Sequence, residues 1–326
     1  MNHNPLQIDN TAIVSSTCPA RHYYRHICNI TKPGTSAALA FGAAVHAGIA
    51  HWLKGNPEQE SIQVAIAQFP TIESNNPYEW RTPARCENVL QDYFASRLHT
   101  RPEMVMLGNP PQPLVEVEFS LPMPIGPSLA KKLEALGYSH LEYCGIIDDV
   151  QMLHGEICPE DHKTTSSTMD VSNPKGSPEP ILSANFGNKF SLDGGFCGYV
   201  WACRKLVDPN ITQFILDGIG LLKPLKENKP TDKRNAFGRV ILDFPDWKIA
   251  QWEANVVARV ESMLDNRLRE VYPMHTDCCH QYNSTCQFHE LCDAPESLRE
   301  GLKALYVESA WKPLSARETE ATASTQ

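Results

Sequence analysis

No run along this chain approaches the ~18 uninterrupted apolar residues that a membrane-spanning helix needs, which sets aside an integral helical membrane protein. The opening stretch, Met1 to Asn10, is polar and lacks the apolar centre of an export leader, so the protein is expected in the cytoplasm. Positive charge is short as well: 29 lysines and arginines face 38 aspartates and glutamates, a formal net charge of −9. Nonspecific coating of nucleic acid depends on basic side chains neutralising phosphates, so it is a poor match to this balance. An acidic centre for divalent cations beside a local basic strip remains compatible with it. No internal repeat is visible.

Cysteine, by contrast, is plentiful. Eleven thiols in a reducing compartment are not expected to pair as disulfides, so a clustered subset points to metal binding. Hydrophobic periodicity outlines an α/β protein. Apolar residues at helical spacing fall over Leu39 to Leu53 and about Pro83 to Leu98, with a further helical piece in Thr17 to Ile30. After the proline-rich connector at Asn109 to Pro113, alternation marks strands over Leu114 to Leu121, Tyr143 to Leu153 and Glu156 to Lys163. Thr164 to Lys189 reads as a long flexible loop. A helix over Leu192 to Leu206, strands over Gln213 to Leu222 and Arg239 to Phe244, and an amphipathic helix over Asp246 to Val271 follow. That last helix carries Trp252, Val256, Val260 and Leu264 on one face. A short helix and a disordered tail, Ser315 to Gln326, close the chain.

The densest chemistry lies in Gly145-Ile146-Ile147-Asp148-Asp149-Val150 and Glu160-Asp161-His162-Lys163-Thr164. A two-residue turn at His154-Gly155 places Asp148 directly opposite Asp161, with Cβ atoms ~5 Å apart on one face. Strand alternation puts Lys163 on the same face as Asp161 and turns His162 away. Two carboxylates so close repel unless a cation lies between them, and their hard oxygens suit Mg²⁺ or Mn²⁺. Such a metal acidifies a water for attack on phosphorus, while the lysine orients the nucleophile or offsets developing charge. Pro159 is the one residue placed to spoil the register by a bulge.

These residues resemble the RecB-like branch of the PD-(D/E)XK nucleases, which includes the AddB nuclease domain, CRISPR-adaptation nucleases with iron-sulfur clusters and phage relatives. The family's G-x-I-D and D-x-K-T look like Gly145 to Asp148 and Asp161 to Thr164. The resemblance implies that Asp148 and Asp161 bind metal and that Lys163 is catalytic. It implies a restriction-endonuclease-like core: a small mixed sheet flanked by helices, with a helical N-terminal segment and a Cys-rich C-terminal end. The nuclease domain would span residues 1–295, with a helical insertion about 50–110 and an appended 296–326. Gly42 to His46 is similar to the family's G-x-x-x-H, which makes His46 a metal ligand and favours manganese. Glu116, two positions before Glu118 on the first strand, matches the family's acidic residue there. Relatives carry Q-x-x-x-Y after the lysine; here Tyr199 is kept and Gly195 replaces the glutamine, which keeps a catalytically degenerate DNA-binding protein as an alternative.

The C-terminal thiols read C-x₆-C-x₅-C through Cys279, Cys286 and Cys292, with Cys278 adjacent to the first. Cys18 is the natural fourth, and the resemblance implies that Cys18, Cys279, Cys286 and Cys292 hold a 4Fe-4S cluster. Structural Zn²⁺ is the rival, because His275, His280 and His289 lie among the same thiols; a zinc-stabilised interaction protein is the corresponding alternative function. The remaining cysteines are expected as small buried apolar groups. Lys223, Lys226, Lys229, Lys233, Arg234 and Arg239 form a basic run suited to a phosphate backbone. The expectation is therefore a Mg²⁺- or Mn²⁺-dependent exonuclease acting on DNA, single-stranded or at ends, in recombination, repair or phage replication.

Overall fold

The computed structural model describes residues 4–34, 36–69, 80–98, 102–167, 169–172, 180–222, 235–281 and 284–314. Much of the basic run (Lys223 to Arg234), part of the expected loop (168 and 173–179) and the tail from Ser315 lie outside them. Seven strands form one sheet: β1 (Leu6–Ile8), β2 (Glu103–Met104), β3 (Val115–Pro122), β4 (Leu141–Leu153), β5 (Glu156–Thr165), β6 (Gln213–Leu221) and β7 (Asn235–Asp243). The helices that matter are α1 (Ala37–Leu53), α2 (Glu58–Ala67), α3 (Pro83–Arg97), α4 (Pro127–Ala135), α5 (Gly194–Leu206) and α6 (Asp246–Arg269).

The sheet order is β1-β4-β5-β6-β7, with β2 and β3 also paired to β4. β4–β5 and β6–β7 are antiparallel and β5–β6 is parallel, so the sheet is mixed. Helices flank it, as the α/β, restriction-endonuclease-like reading anticipated. Eight of the nine residues of β6 are buried, the mark of a central strand covered on both faces.

The described residues fall into two compact units, one drawn from 35–117 and 146–249, the other from 1–34, 118–145 and 250–319. In the first, Ser36 caps α1 by accepting the Leu39 N–H, and Thr82 caps α3 by accepting that of Arg85, with Pro83 at the first turn. α1 buries Phe41, Ala44, Val45, Ile49 and Trp52 at helical spacing against Val89, Leu90, Tyr93 and Phe94 of α3. Gly48 permits that approach: a Cβ there would lie 2.8 Å from Leu90 and 3.0 Å from Ala65. Pairing of Val171–Ser172 with Ile181–Leu182 and a helical turn at Ala184–Asn188 give regular structure to the described part of the expected loop.

In the second unit, β1 runs parallel to the start of β4. On α6, Trp252, Val256, Val260 and Leu264 are buried as the amphipathic pattern anticipates, and Trp252 meets Tyr143 edge-on at 4.9 Å. α4 is tied to it by Lys132, which pairs with Glu261 and Asp265 at 2.9 and 2.8 Å. A smaller core of Cys18, Tyr24, Phe288, Leu291 and Tyr306 joins the N-terminal segment to the cysteine-rich end.

Candidate metal centre and thiol cluster

The turn between β4 and β5 has His154 at φ 53° and Gly155 at φ 88°, the two left-handed positions of a tight hairpin. It sets Asp149 opposite Glu160, Val150 opposite Pro159 and Gln151 opposite Cys158, so Pro159 is accommodated without a bulge. The ladder ends at Asp149–Glu160. One step further the Asp148 side chain takes over, its Oδ2 accepting the His162 backbone N–H at 2.9 Å.

Asp148 and Asp161 are both 3% exposed. His46, delivered by α1, places Nδ1 3.1 Å from Asp148 Oδ2, and Lys163 Nζ lies 2.5 Å from Asp161 Oδ2. Burial pushes the Asp161 carboxyl up, Lys163 draws it back and the charge of Asp148 pushes it up again, leaving it raised. Burial works against the Lys163 ammonium, yet Asp161, Asp148 and, beyond them, Asp193 hold it above its ordinary value. The result is two crowded acids, an imidazole and a retained cation in one place. That donor set fits a hard divalent ion, which would relieve the repulsion between the acids.

α5 supplies the surroundings of the lysine. Asp193 caps it, accepting the N–H groups of Gly195 and Phe196 at 2.8 and 3.1 Å, and the Phe196 ring lies 5.6 Å from Lys163 Nζ. The position where relatives carry glutamine is thus an amide held by an aspartate that also acts on Lys163. Tyr199 is half-buried and stacks on Phe214 at 6.3 Å. Glu116 is half-buried near the start of β3 with φ 56°, and this left-handed residue interrupts the alternation that would have put it on a face with Glu118. His51, given no role in the sequence, bonds Ser61 at 3.0 Å.

A second charged set occupies the other side of the same strands, and sequence reasoning missed it. Asp149, Glu160 and Asp217 are fully buried and His162 nearly so. His162 faces Asp149 with Nε2 (3.1 Å) and Asp217 with Nδ1 (3.2 Å). From α3, Tyr93 donates to Asp217 at 2.6 Å and Arg97 pairs with it at 2.5 Å. Burial would raise the Asp217 carboxyl, but the His162 bond and the charges of Arg97, His162 and Arg239 hold it below its ordinary value. Burial followed by the charges of Asp149 and Asp217 pushes the Glu160 carboxyl well up. Arg239 does not behave as the expected phosphate contact. It stands opposite Asp217 in the β6–β7 pair and directs Nε to Glu160 at 3.2 Å, so its charge is engaged inside.

In the other unit the cysteines converge. Cys292 is pushed up to about 11 by burial and then by Cys18, Cys286 and Cys279. Cys279 is raised by burial and then by Cys286, Cys18 and Cys278. Cys279 and Cys292 thus each feel the neighbouring sulfurs, an effect that a bound cation would offset. The Cys286 N–H donates to the Cys279 carbonyl at 2.7 Å, fixing those two residues locally. Cys278 instead turns its sulfur toward Thr17 Oγ1, at 3.7 Å. Of the histidines, His275 bonds the Thr17 carbonyl, while His280 and His289 lie 5.5 Å apart, ring to ring. Cys86, Cys144, Cys158, Cys197 and Cys203 are buried, as expected of small apolar groups, whereas Cys28 is half-buried beside the thiol core.

A family model described as the PD-(D/E)XK nuclease superfamily matches residues 14–293. No curated protein matches the chain. Among solved structures it is similar to a Eubacterium rectale protein described as a candidate exonuclease, at 11% identity and a TM-score of 0.44, covering 89% of this chain and 94% of that one. It is also similar to LHK-Exo in complex with dAMP, at 13% identity and a TM-score of 0.24, covering 72% of this chain and 95% of the other.

Proposed function

The chain belongs to the PD-(D/E)XK nuclease superfamily, and from that premise we propose that it hydrolyses DNA phosphodiester bonds as an exonuclease dependent on Mg²⁺ or Mn²⁺. The observation that carries the proposal is the convergence of buried Asp148 and Asp161 with His46 and Lys163. Asp148, Asp161 and His46 would hold the ion, which when bound supplies Lewis acidity to a water and to the phosphate. Lys163 keeps its proton at neutral pH, and its ammonium orients the attacking water or offsets charge on the phosphate as it develops. Asp193 and Phe196 restrict where that ammonium can go. Glu116 is assigned a supporting acidic role and Tyr199 a role in placing the strand. Residues Lys223 to Arg234 are assigned to the phosphate backbone; Arg239 is left out of that set.

Cys18, Cys279, Cys286 and Cys292 are proposed to hold a 4Fe-4S cluster, with structural Zn²⁺ as the rival occupant. The support is their mutual electrostatic effect and the burial of Cys18. The substrate is linear DNA in the cytoplasm, in recombination, repair or phage replication. One observation favours a second reading, a degenerate DNA-binding protein: Gly195 stands where relatives carry glutamine.

The test is digestion of end-labelled linear and closed circular DNA in Mn²⁺ by the wild type and by Lys163→Ala and Asp148→Asn. Mononucleotides from linear DNA only, lost in both variants, is the expected result. Equal product from wild type and Lys163→Ala removes the lysine from the reaction, and cutting of circles at the rate of linear DNA removes the exonuclease assignment. Binding of DNA without any product favours the second reading.

A further inference from the structure

The buried set behind the acids invites a reading as a second metal site, because Glu160, His162 and Asp217 present ligand atoms within 4.8 Å of one another. The neighbours argue against it. Asp217 already accepts Tyr93 and Arg97, Glu160 faces Arg239, and His162 has a carboxylate at each ring nitrogen. Arg97 and Arg239 already bring positive charge to Asp217 and Glu160, and the His162 ring lies between Asp217 and Asp149.

What this arrangement does is immobilise residue 162. The His162 ring is hydrogen-bonded to Asp217 through Nδ1 and lies 3.1 Å from Asp149 through Nε2, so carboxylates of two neighbouring strands flank it and restrict its rotation. The backbone N–H of that residue donates to Asp148 Oδ2 at 2.9 Å. The same oxygen faces His46 Nδ1 at 3.1 Å. Any drift of residue 162 would therefore swing the Asp148 carboxylate relative to Asp161 and His46.

We propose that His162 is a positioning residue whose ring, clamped between Asp149 and Asp217, fixes the Asp148 carboxylate for the divalent ion. This rests on the nuclease reading above, in that Asp148 is taken as a ligand, but its test does not need cleavage. Outer partners of metal ligands set ligand orientation, and their loss costs ~10- to 100-fold in metal affinity.

The experiment is direct Mn²⁺ titration of the full-length protein, by electron paramagnetic resonance of the free ion, in the wild type, Asp217→Asn and Asp149→Asn. A core variant, Phe94→Leu, serves as a control that destabilises without touching the clamp. Thermal midpoints are measured on the same samples. The expected result is a Kd for Mn²⁺ raised ~10-fold or more in both clamp variants, while Phe94→Leu melts lower and binds Mn²⁺ as the wild type does. Where DNA is cleaved, the clamp variants should need more Mn²⁺ for half-maximal rate and recover most of kcat at saturation. If Asp217→Asn fails to fold, Tyr93→Phe removes only one donor from Asp217 and is expected to raise the Kd by a smaller factor in the same direction. Clamp variants that melt lower but keep the wild-type Kd overturn the proposal, leaving a structural ion cluster. A wild type that binds no Mn²⁺ overturns it together with the metal assignment; one that binds Mn²⁺ yet cleaves nothing overturns only the nuclease activity.

Discussion

Replacing Tyr93 by phenylalanine removes one oxygen from the centre of the buried set and nothing else. The ring is fully buried, with Phe237 at 5.6 Å, His162 at 6.2 Å and Trp52 at 6.4 Å, and those contacts survive. What is lost is the 2.6 Å bond to Asp217 Oδ2, leaving that carboxylate with Arg97 and His162. A hydrogen bond to a charged group is worth ~1.5–3 kcal/mol when its removal leaves the partner buried. With ~2–4 °C per kcal/mol for a cooperative unit of roughly 150–250 residues, the midpoint of the unit that holds Tyr93 should fall by roughly 3–12 °C. Calorimetry or circular dichroism of both proteins at pH 7 measures it, and a cycle with Asp217→Asn isolates the pair, with a coupling of at least ~1 kcal/mol expected for partners in contact. A midpoint within a degree of wild type and no coupling would refute the view that this hydroxyl satisfies a buried charge.

Acid should weaken the unit that holds the thiols. His22 is lowered to about 4 by burial and then Arg267, and His26 to about 3 by burial and then His22 and Arg25. Both rings take a proton more readily unfolded than folded, so stability is full above pH ~6.5 and falls as the pH drops toward 4, by up to ~1.4 kcal/mol per pH unit for each. Urea midpoints at pH 7 and 5 should differ, and His26→Phe should flatten the difference; equal midpoints in the wild type would contradict this. Gly218→Ala puts a Cβ 2.5 Å from both Leu182 Cδ1 and Phe186 Cε1, and should cost ~1–3 kcal/mol in a denaturant melt. Cys292→Ser should lose bound metal and any brown colour, whereas Cys278→Ser should keep both; metal analysis of the purified variants decides, and equal loss would bring Cys278 into the set.

The part of the site legible in the sequence was the part written by local rules. A two-residue turn and strand alternation are enough to bring Asp148 and Asp161 together and to send His162 the other way. The partners waiting for His162 could not be read in that manner. Asp217 comes from a parallel neighbour 55 residues on, and Tyr93 lies 124 residues from Asp217, so only the tertiary fold joins them. Arg239 ends the basic run of the sequence and opens the strand expected there, yet β7 begins earlier, at Asn235, and the guanidinium faces buried Glu160. Alternation also failed at Glu116, where φ 56° breaks the period. Helices α2 and α4 gave too weak a signal to be named: Pro57 offers no capping side chain, and α4 is only nine residues long.

Two ionic sets share one ribbon, Asp161 and Lys163 at odd positions of β5 and Glu160 and His162 at even ones, and they meet where the His46 ring lies 5.9 Å from that of His162. Losing a single residue between Gly155 and Asp161 would put Glu160 and His162 where Asp161 and Lys163 now stand, exchanging both sets at once. Length changes in this ribbon are therefore tolerable only in steps of two, and variation in the chain should collect in its loops.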